Sequence, residues 1–595
     1  MDEVLFLSLK LFDSIPKGKT GKPCIKEGLR YGVVIDANAS YAQQQVLRYF
    51  KQNTLEGKQL NATFHKSWKV IRDHDREELF LHQILHYMTT YGTHFTSDFI
   101  YIPTEPLKIP KTKKIPLLVI RGLEKSELIQ KALDLLSTGV ALEESTLDDI
   151  LMFLSLLEYK FESLDFIKNK EALVKIIFET GVYPKSPTEF LRFLVYLATD
   201  STLLIKNKET IERIQTITLD ISKDLHSFGL EKCATIFNRF KPIWLAFKSN
   251  PKNVPAINKI SKLSKVYHQP LPKDILNHVT SGQYSVSEVE KALDNVNVFR
   301  KIRLLNALNT RLNLASSYLY RTRNGKAFAK EVDSKDRLKY YQELYDLLYG
   351  QLKLHLDVIG KRIKYPKLVD YALPSSEKMF VGNVPVGTRI TAPKLVSGIY
   401  WKNEWGAKDL DLSALPIGGK VGWNSAYAAK GLMYSGDVTN APNGACELLF
   451  TKKQLPNPAL SMANIYNGEV GCSFKFVIGS ASSISKNYMF HPKEKIMELE
   501  TTMKARQQIL GLYLPSMGKS LTLILVNAAF GNFSVSGNRN HSIHARQALY
   551  YQYSKPISLK QLLIDAGAKL TLEEDCDLNL CPTSLQKDTL INLFS

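Results

Sequence analysis

Few side chains in this sequence stand at spacings that could do chemistry. His82 and His86 are four residues apart, which puts two imidazoles on one helix face, and His74 and His94 flank them. That is half of a metal site. A zinc-peptidase pattern also needs Glu directly after the first histidine, and Gln83 stands there. A second pair, His541 and His544, lies beside Asn538, Arg539 and Arg546 in what reads as a polar loop. Ordinary core or surface histidines are the alternative for both pairs. Two stretches imitate a phosphate loop and fail. Gly18-Lys19-Thr20-Gly21-Lys22 lacks the glycine spacing, and Gly518-Lys519-Ser520 has Tyr513 where the first glycine is needed. Such a loop wraps phosphate with consecutive backbone amides, so spacing decides. Cys576 and Cys581 are close, but Cys24, Cys233, Cys446 and Cys472 are isolated, so no four-ligand zinc set or disulfide framework is formed. No serine sits in a nucleophile elbow. The expectation is a protein that is not an enzyme.

Binding chemistry is better represented. Arg300, Lys301, Arg303, Arg311, Arg321, Arg323 and Lys326 form a basic stretch interleaved with Tyr318, Tyr320 and Phe328. Cations hold phosphates and aromatics stack on bases, so this is the nucleic-acid candidate. The alternative is a solvated helix face whose aromatics pack inward. The chain carries 78 Lys and Arg against 58 Asp and Glu, a formal charge of +20. Nucleic acid, an acidic protein or an anionic surface would suit it as partner. Those charges are dispersed, however, and the densest run, Lys108 to Lys114, contains a proline and reads as a loop. The 44% hydrophobic content argues against wholesale disorder. No apolar run of about 18 residues is available to span a bilayer, and the first residues lack a signal-peptide pattern. The expected setting is the reducing cytoplasm, without membrane insertion.

The elements that must position these residues suggest a multidomain α+β chain. Residues 1–120 read as a mixed α/β N-terminal region: Val4 to Phe12 and Tyr31 to Ile35 are strand-like, Tyr41 to Gln52 and Glu77 to Thr90 helix-like. Residues 121–370 read as an α-helical scaffold, possible as a solenoid-like stack without a fixed repeat. Within it Gly139 stops one helix, and Ser145 with Asp148 or Thr146 with Asp149 starts the next. Ser186-Pro187-Thr188-Glu189 starts another. From about 371 to 570 turn dipeptides multiply (Gly382-Asn383, Gly418-Gly419, Asn443-Gly444) between short apolar runs such as Lys394 to Trp401, Ser473 to Ile478 and Leu521 to Val526. That pattern predicts an antiparallel β-sandwich. Residues 571–595 read as an acidic tail ending in a short helix.

A family resemblance enters through residues 373–450. The sequence there runs Leu373-Pro374-Ser375-Ser376-Glu377-Lys378, Val386-Gly387-Thr388-Arg389, Ile399-Tyr400-Trp401, Asp409-Leu410-Asp411-Leu412-Ser413-Ala414, Ser435-Gly436-Asp437-Val438-Thr439 and Glu447. This resembles the TerD-like sandwich of tellurium-resistance and stress-response proteins, and more closely the TerD-like C-terminal region of larger bacterial proteins of that system. The RING finger that some of those carry is absent here. The resemblance implies a non-enzymatic stress-associated interaction module, often linked to calcium, with other proteins of the system as partners. Asp409, Asp411, Asp437 and Glu447 are then the calcium candidates. The family's Gly-Asp-Asn loop with further acids is replaced by Gly436-Asp437-Val438-Thr439. Calcium takes about six to eight oxygens, so the alternative is that these acids serve as structural turn and strand-end residues. Two rivals remain: a nucleic-acid-binding protein, and a structural component of a large assembly such as a virus particle.

Overall fold

Helix-capping chemistry and amphipathic spacing build the first of two units, residues 1–17 with 122–297. The computed structural model describes residues 2–63, 77, 81, 117–270, 274–313, 316–323, 326–333, 335–451, 455–482, 490–515, 518, 520–531, 540–553 and 555–595. The helix expected at Glu77 to Thr90 and the histidines at 74, 82, 86 and 94 lie outside the described residues, apart from Glu77 and Leu81. The chain is α+β, with helices mostly in its N-terminal and middle parts and antiparallel sheets towards the C-terminus.

Three features of the first unit bear on the sequence reading. The run Val4 to Phe12 is helical, not a strand: helix Glu3–Phe12 is capped by Asp2, whose carboxylate accepts from the Val4 amide at 3.1 Å. Its leucines satisfy both periods, but Leu5, Leu9 and Phe12 fall on one helical face and are buried. Gly139, with φ of +69°, follows the end of helix Lys125–Ser137, as expected. Glu143 rather than Ser145 or Thr146 precedes helix Glu144–Leu156, which places both hydroxyl residues inside its first turn. Ser186 and Pro187 do open helix Pro187–Thr199. Consecutive helices pack on one another around Phe153, Phe190 and Trp244.

The second unit comprises residues 18–121 and 298–594. Helical character does not run unbroken to 370. Between helices Val298–Asn313 and Leu338–His355 stands an antiparallel hairpin, Ser316–Arg323 with Lys326–Asp333. The sequence signal was present: Tyr318-Leu319-Tyr320 alternates ahead of Asn324-Gly325, a strong hairpin dipeptide.

Among the described residues thirteen strands make two antiparallel sheets: β1 Val369–Asp370, β2 Arg389–Ala392, β3 Leu395–Trp401, β4 Ala407–Leu415, β5 Val421–Gly422, β6 Ala428–Ala429, β7 Leu432–Tyr434, β8 Ala445–Thr451, β9 Ala459–Gly468, β10 Ser473–Ser480, β11 Lys495–Thr502, β12 Gln507–Tyr513 and β13 Leu521–Gly531. One sheet has the order β5-β4-β9-β12-β13-β2-β1 and the other β6-β7-β8-β3-β10-β11. A buried Ser397–Tyr513 hydroxyl contact joins the two sheets. Their other faces are covered as well. Helix Asn540–Tyr553 contributes Ala545 and Leu549 to a cluster with Leu415, Leu460 and Ile524 of the first sheet. On the second sheet Leu55 and Leu60 pack against Val396, Tyr400 and Val477. Burial on both faces explains why β3, β8 and β12 are buried at every position instead of alternating.

The last residues are built in. Lys569–Thr571 and Leu578–Asn579 both pair in parallel with Arg362–Lys364, and Leu590 and Phe594 are buried. Among the described residues no helix is long and apolar enough to cross a membrane.

Candidate metal centre

Alternation along a strand sends residues two apart to the same side, so Asp409 and Asp411 of β4 share a face. A bulge in the β4–β9 ladder between Ala407 and Leu410 adjusts their register. Asp437 arrives from the segment joining β7 to β8, just after Gly436, whose φ of +116° lets the chain turn there. All three aspartates are buried, and one carboxylate oxygen from each lies within 4.8 Å of the others. Oxygens bound to one calcium at about 2.3–2.6 Å cannot stand more than roughly 5 Å apart, so this spread suits a single shared ion.

Glu447, on β8 of the opposite sheet, does something different. Its Oε2 accepts the Leu412 amide at 2.7 Å and its Oε1 accepts the Val438 amide at 3.0 Å. Leu412 follows Asp411 and Val438 follows Asp437. Glu447 therefore clamps the two backbone segments that carry the aspartates, and both its oxygens are engaged in doing so. It is a positioning residue rather than an additional ligand.

Electrostatics makes the cluster costly on its own. Burial raises the Asp411 carboxyl well above the usual carboxylate range, and the neighbouring Asp409, Asp437 and Glu447 raise it further. Glu447 is raised by burial and by Asp437, although its two backbone amides pull it back. Asp411 Oδ2 has no hydrogen-bond partner among the described residues. Among the described residues Lys420 is a nearby cation. Burial lowers its pKa to about 8, against the pull of Asp411 and Asp437, and its ammonium donates to Asn424 Oδ1 at 2.5 Å. A divalent cation would balance three clustered carboxylates better than a single ammonium.

Sequence reading missed Asn464. It stands directly opposite Asp411 in the β4–β9 register and is fully buried, so its amide oxygen belongs to the same polar row. Nothing local marks it; only the pairing of two strands fifty residues apart does.

The basic candidates divide between two elements. Arg300, Lys301, Arg303 and Arg311 lie on helix Val298–Asn313, where Lys301 is turned about 100° from Arg300. Its ammonium donates to Gln351 Oε1 at 2.9 Å. Arg321, Arg323 and Lys326 lie on the hairpin, with Arg323 and Lys326 paired across its end. The stretch is therefore not one helix face. His541 and His544 lie on helix Asn540–Tyr553 rather than in a loop, and Arg546 is spent on the Leu415 carbonyl at 3.0 Å.

No protein-family model matches this chain, and no curated protein matches it. The TerD-like reading consequently rests on its residues and on the site they assemble.

Proposed function

We propose that this protein is a TerD-like, calcium-dependent interaction protein without catalytic turnover, working with partner proteins in a stress-response setting. The observation that carries the reading is the convergence of Asp409, Asp411 and Asp437, buried together and clamped by Glu447. These are the residues through which the resemblance to the TerD-like sandwich enters. Three carboxylates can supply three to six of the six to eight oxygens that calcium takes, and Asn464 adds a neutral oxygen donor beside Asp411. The helical unit supports the interaction part of the reading, since Met152 and Phe178 are 50% and 60% exposed on it.

Calcium should raise the melting temperature of the metal-stripped protein. A ligand at about a hundred times its Kd adds roughly 2.7 kcal/mol. Asp411→Asn should abolish that shift. Without calcium the variant should be at least as stable as wild type, because one carboxylate that repels its neighbours is gone. A wild-type melting curve indifferent to both calcium and chelator would overturn the proposal and leave the aspartates as structural residues.

A further inference from the structure

Helix Val298–Asn313 carries Arg303, Ala307 and Arg311 at four-residue spacing, one stripe along its length. That stripe is a wall of a cavity of about 380 Å³. Small-molecule sites span roughly 300–1,000 Å³. The facing walls come from residues 372–376 and 385–387 and from the end of helix Asn540–Tyr553 with the segment after it. Among the described residues the lining has two guanidiniums and no aspartate or glutamate. In a chain this basic, dispersed cations are ordinary; two arginines on the wall of one half-open cavity are not.

Hydrogen bonds made by the lining residues hold the walls together. Arg303 Nε donates to the Ser375 carbonyl at 3.3 Å, which spans helix and loop and leaves both its Nη groups without a partner among the described residues. Arg311 Nη1 donates to the Ala307 carbonyl at 2.9 Å, holding the guanidinium along its own helix. Asn309 Nδ2 reaches the Lys555 carbonyl at 2.8 Å, and Arg389 Nη2 reaches the Tyr553 carbonyl at 3.3 Å. Small residues leave the room: Ala307 on the helix and Gly387 on the loop. A Cβ on Gly387 would sit 3.3 Å from the Ala372 Cβ, at a φ of +96° that side chains avoid. Leu373, Val386 and Ile557 add an apolar patch to a wall that also carries Asn306, Thr310 and Gln552.

We propose that this cavity binds a small organic phosphate. A phosphate monoester carries about −1.5 to −2 charges at neutral pH, and the planar fork of a guanidinium suits its oxygens. The apolar patch and the neutral polar groups beside it take the organic body. None of the lining residues belongs to the aspartate cluster, so the two sites are separate.

The test uses the full chain in chelator, so that the metal centre plays no part. Inorganic phosphate, glucose 6-phosphate and adenosine 5′-monophosphate are the probes, and citrate is the carboxylate control. Line broadening of each probe's NMR signal reports binding. At least one ester should bind more tightly than inorganic phosphate. Affinity should fall by roughly ten-fold for each guanidinium removed in R303A and R311A. Ala307→Phe, which fills the cavity and keeps both charges, should abolish binding as well, with circular dichroism confirming that each variant is folded. Should R311A not fold, R303A and Ala307→Phe decide. Equal broadening in wild type and variants would mean adsorption to the general basic surface and overturn the site. Absence of broadening with every phosphate, or tighter binding of citrate than of any phosphate, would overturn it too.

Discussion

Burial alone raises a carboxyl pKa, yet two glutamates in the same sandwich end on opposite sides of their ordinary value. Glu447 is raised by burial and by Asp437, with the Tyr434 hydroxyl and two backbone amides, but no cation, to offset them. Glu498 on β11 is also pushed up by burial, but Lys495 and Lys475 outweigh that and hold it below the usual glutamate value. Lys475 Nζ lies 2.6 Å from Glu498 Oε1, and their side chains are 6% and 14% exposed. The sign follows. A depressed folded pKa contributes stability that is present above the unfolded value of about 4.3 and lost as pH falls through the folded one. Glu498→Gln should therefore cost about 3–5 kcal/mol at neutral pH, because it leaves two lysines without their counter-charge. In urea titrations the wild-type and variant stabilities should converge in acid, and parallel curves down to pH about 3 would refute the role. At this scale the acids of the candidate metal centre were legible only through family resemblance. Neither Glu447's use of both oxygens nor Asn464's place could be read, because each depends on a partner from another strand.

At the scale of elements, the sandwich depends on two covers. Residues 55–63 lie on the six-stranded sheet although they precede it by over three hundred positions. Asn61 behaves there like a strand residue: its Oδ1 accepts the Phe490 amide at 2.9 Å and its Nδ2 donates to the Phe490 carbonyl at 2.9 Å. The Ala62 carbonyl accepts the Cys446 amide at 2.8 Å, extending the contact to β8. Asn61→Ala should cost about 1–3 kcal/mol by orphaning a buried backbone pair, and Leu60→Ala about 2–5 kcal/mol through the cavity it leaves. Chemical denaturation measures both, and effects below about half a kilocalorie would show that this cover is loosely held. The sequence revealed β3, β10 and β13 through short apolar runs between turn dipeptides. It misled at Val4 to Phe12, where leucines at every second position also satisfy a helix. It hid the covers, since the apolar spacing around Leu55 and Leu60 does not say which distant sheet it will meet.

For the whole molecule, the chain order and the physical division disagree. Residues 1–17 belong with 122–297, and residues 18–121 belong with 298–594. A reading that moves from one end to the other cuts at composition changes, near 120 and 370. Contacts instead return early segments to late ones, as Leu60 and Asn61 return to the sandwich. Each unit has its own large buried aromatics, Trp244 and Phe153 in one, Trp401 and Tyr400 in the other. A ligand protects the structure whose opening would release it, and amide exchange resolves that protection by segment. If calcium binds at Asp409, Asp411 and Asp437, it should slow exchange across β4, β8 and β9. The protection should extend to residues 55–63, whose backbone bonds to β8, and leave helices within 122–297 at their calcium-free rates. Hydrogen exchange with mass-spectrometric readout, with and without calcium, tests this directly. Protection confined to the loop before β8 would mean that Asp437 acts alone. Protection spreading into 122–297 would mean that metal binding is felt by the helical unit, and a calcium-dependent interaction protein would then have its signal delivered to the surface that carries Phe178.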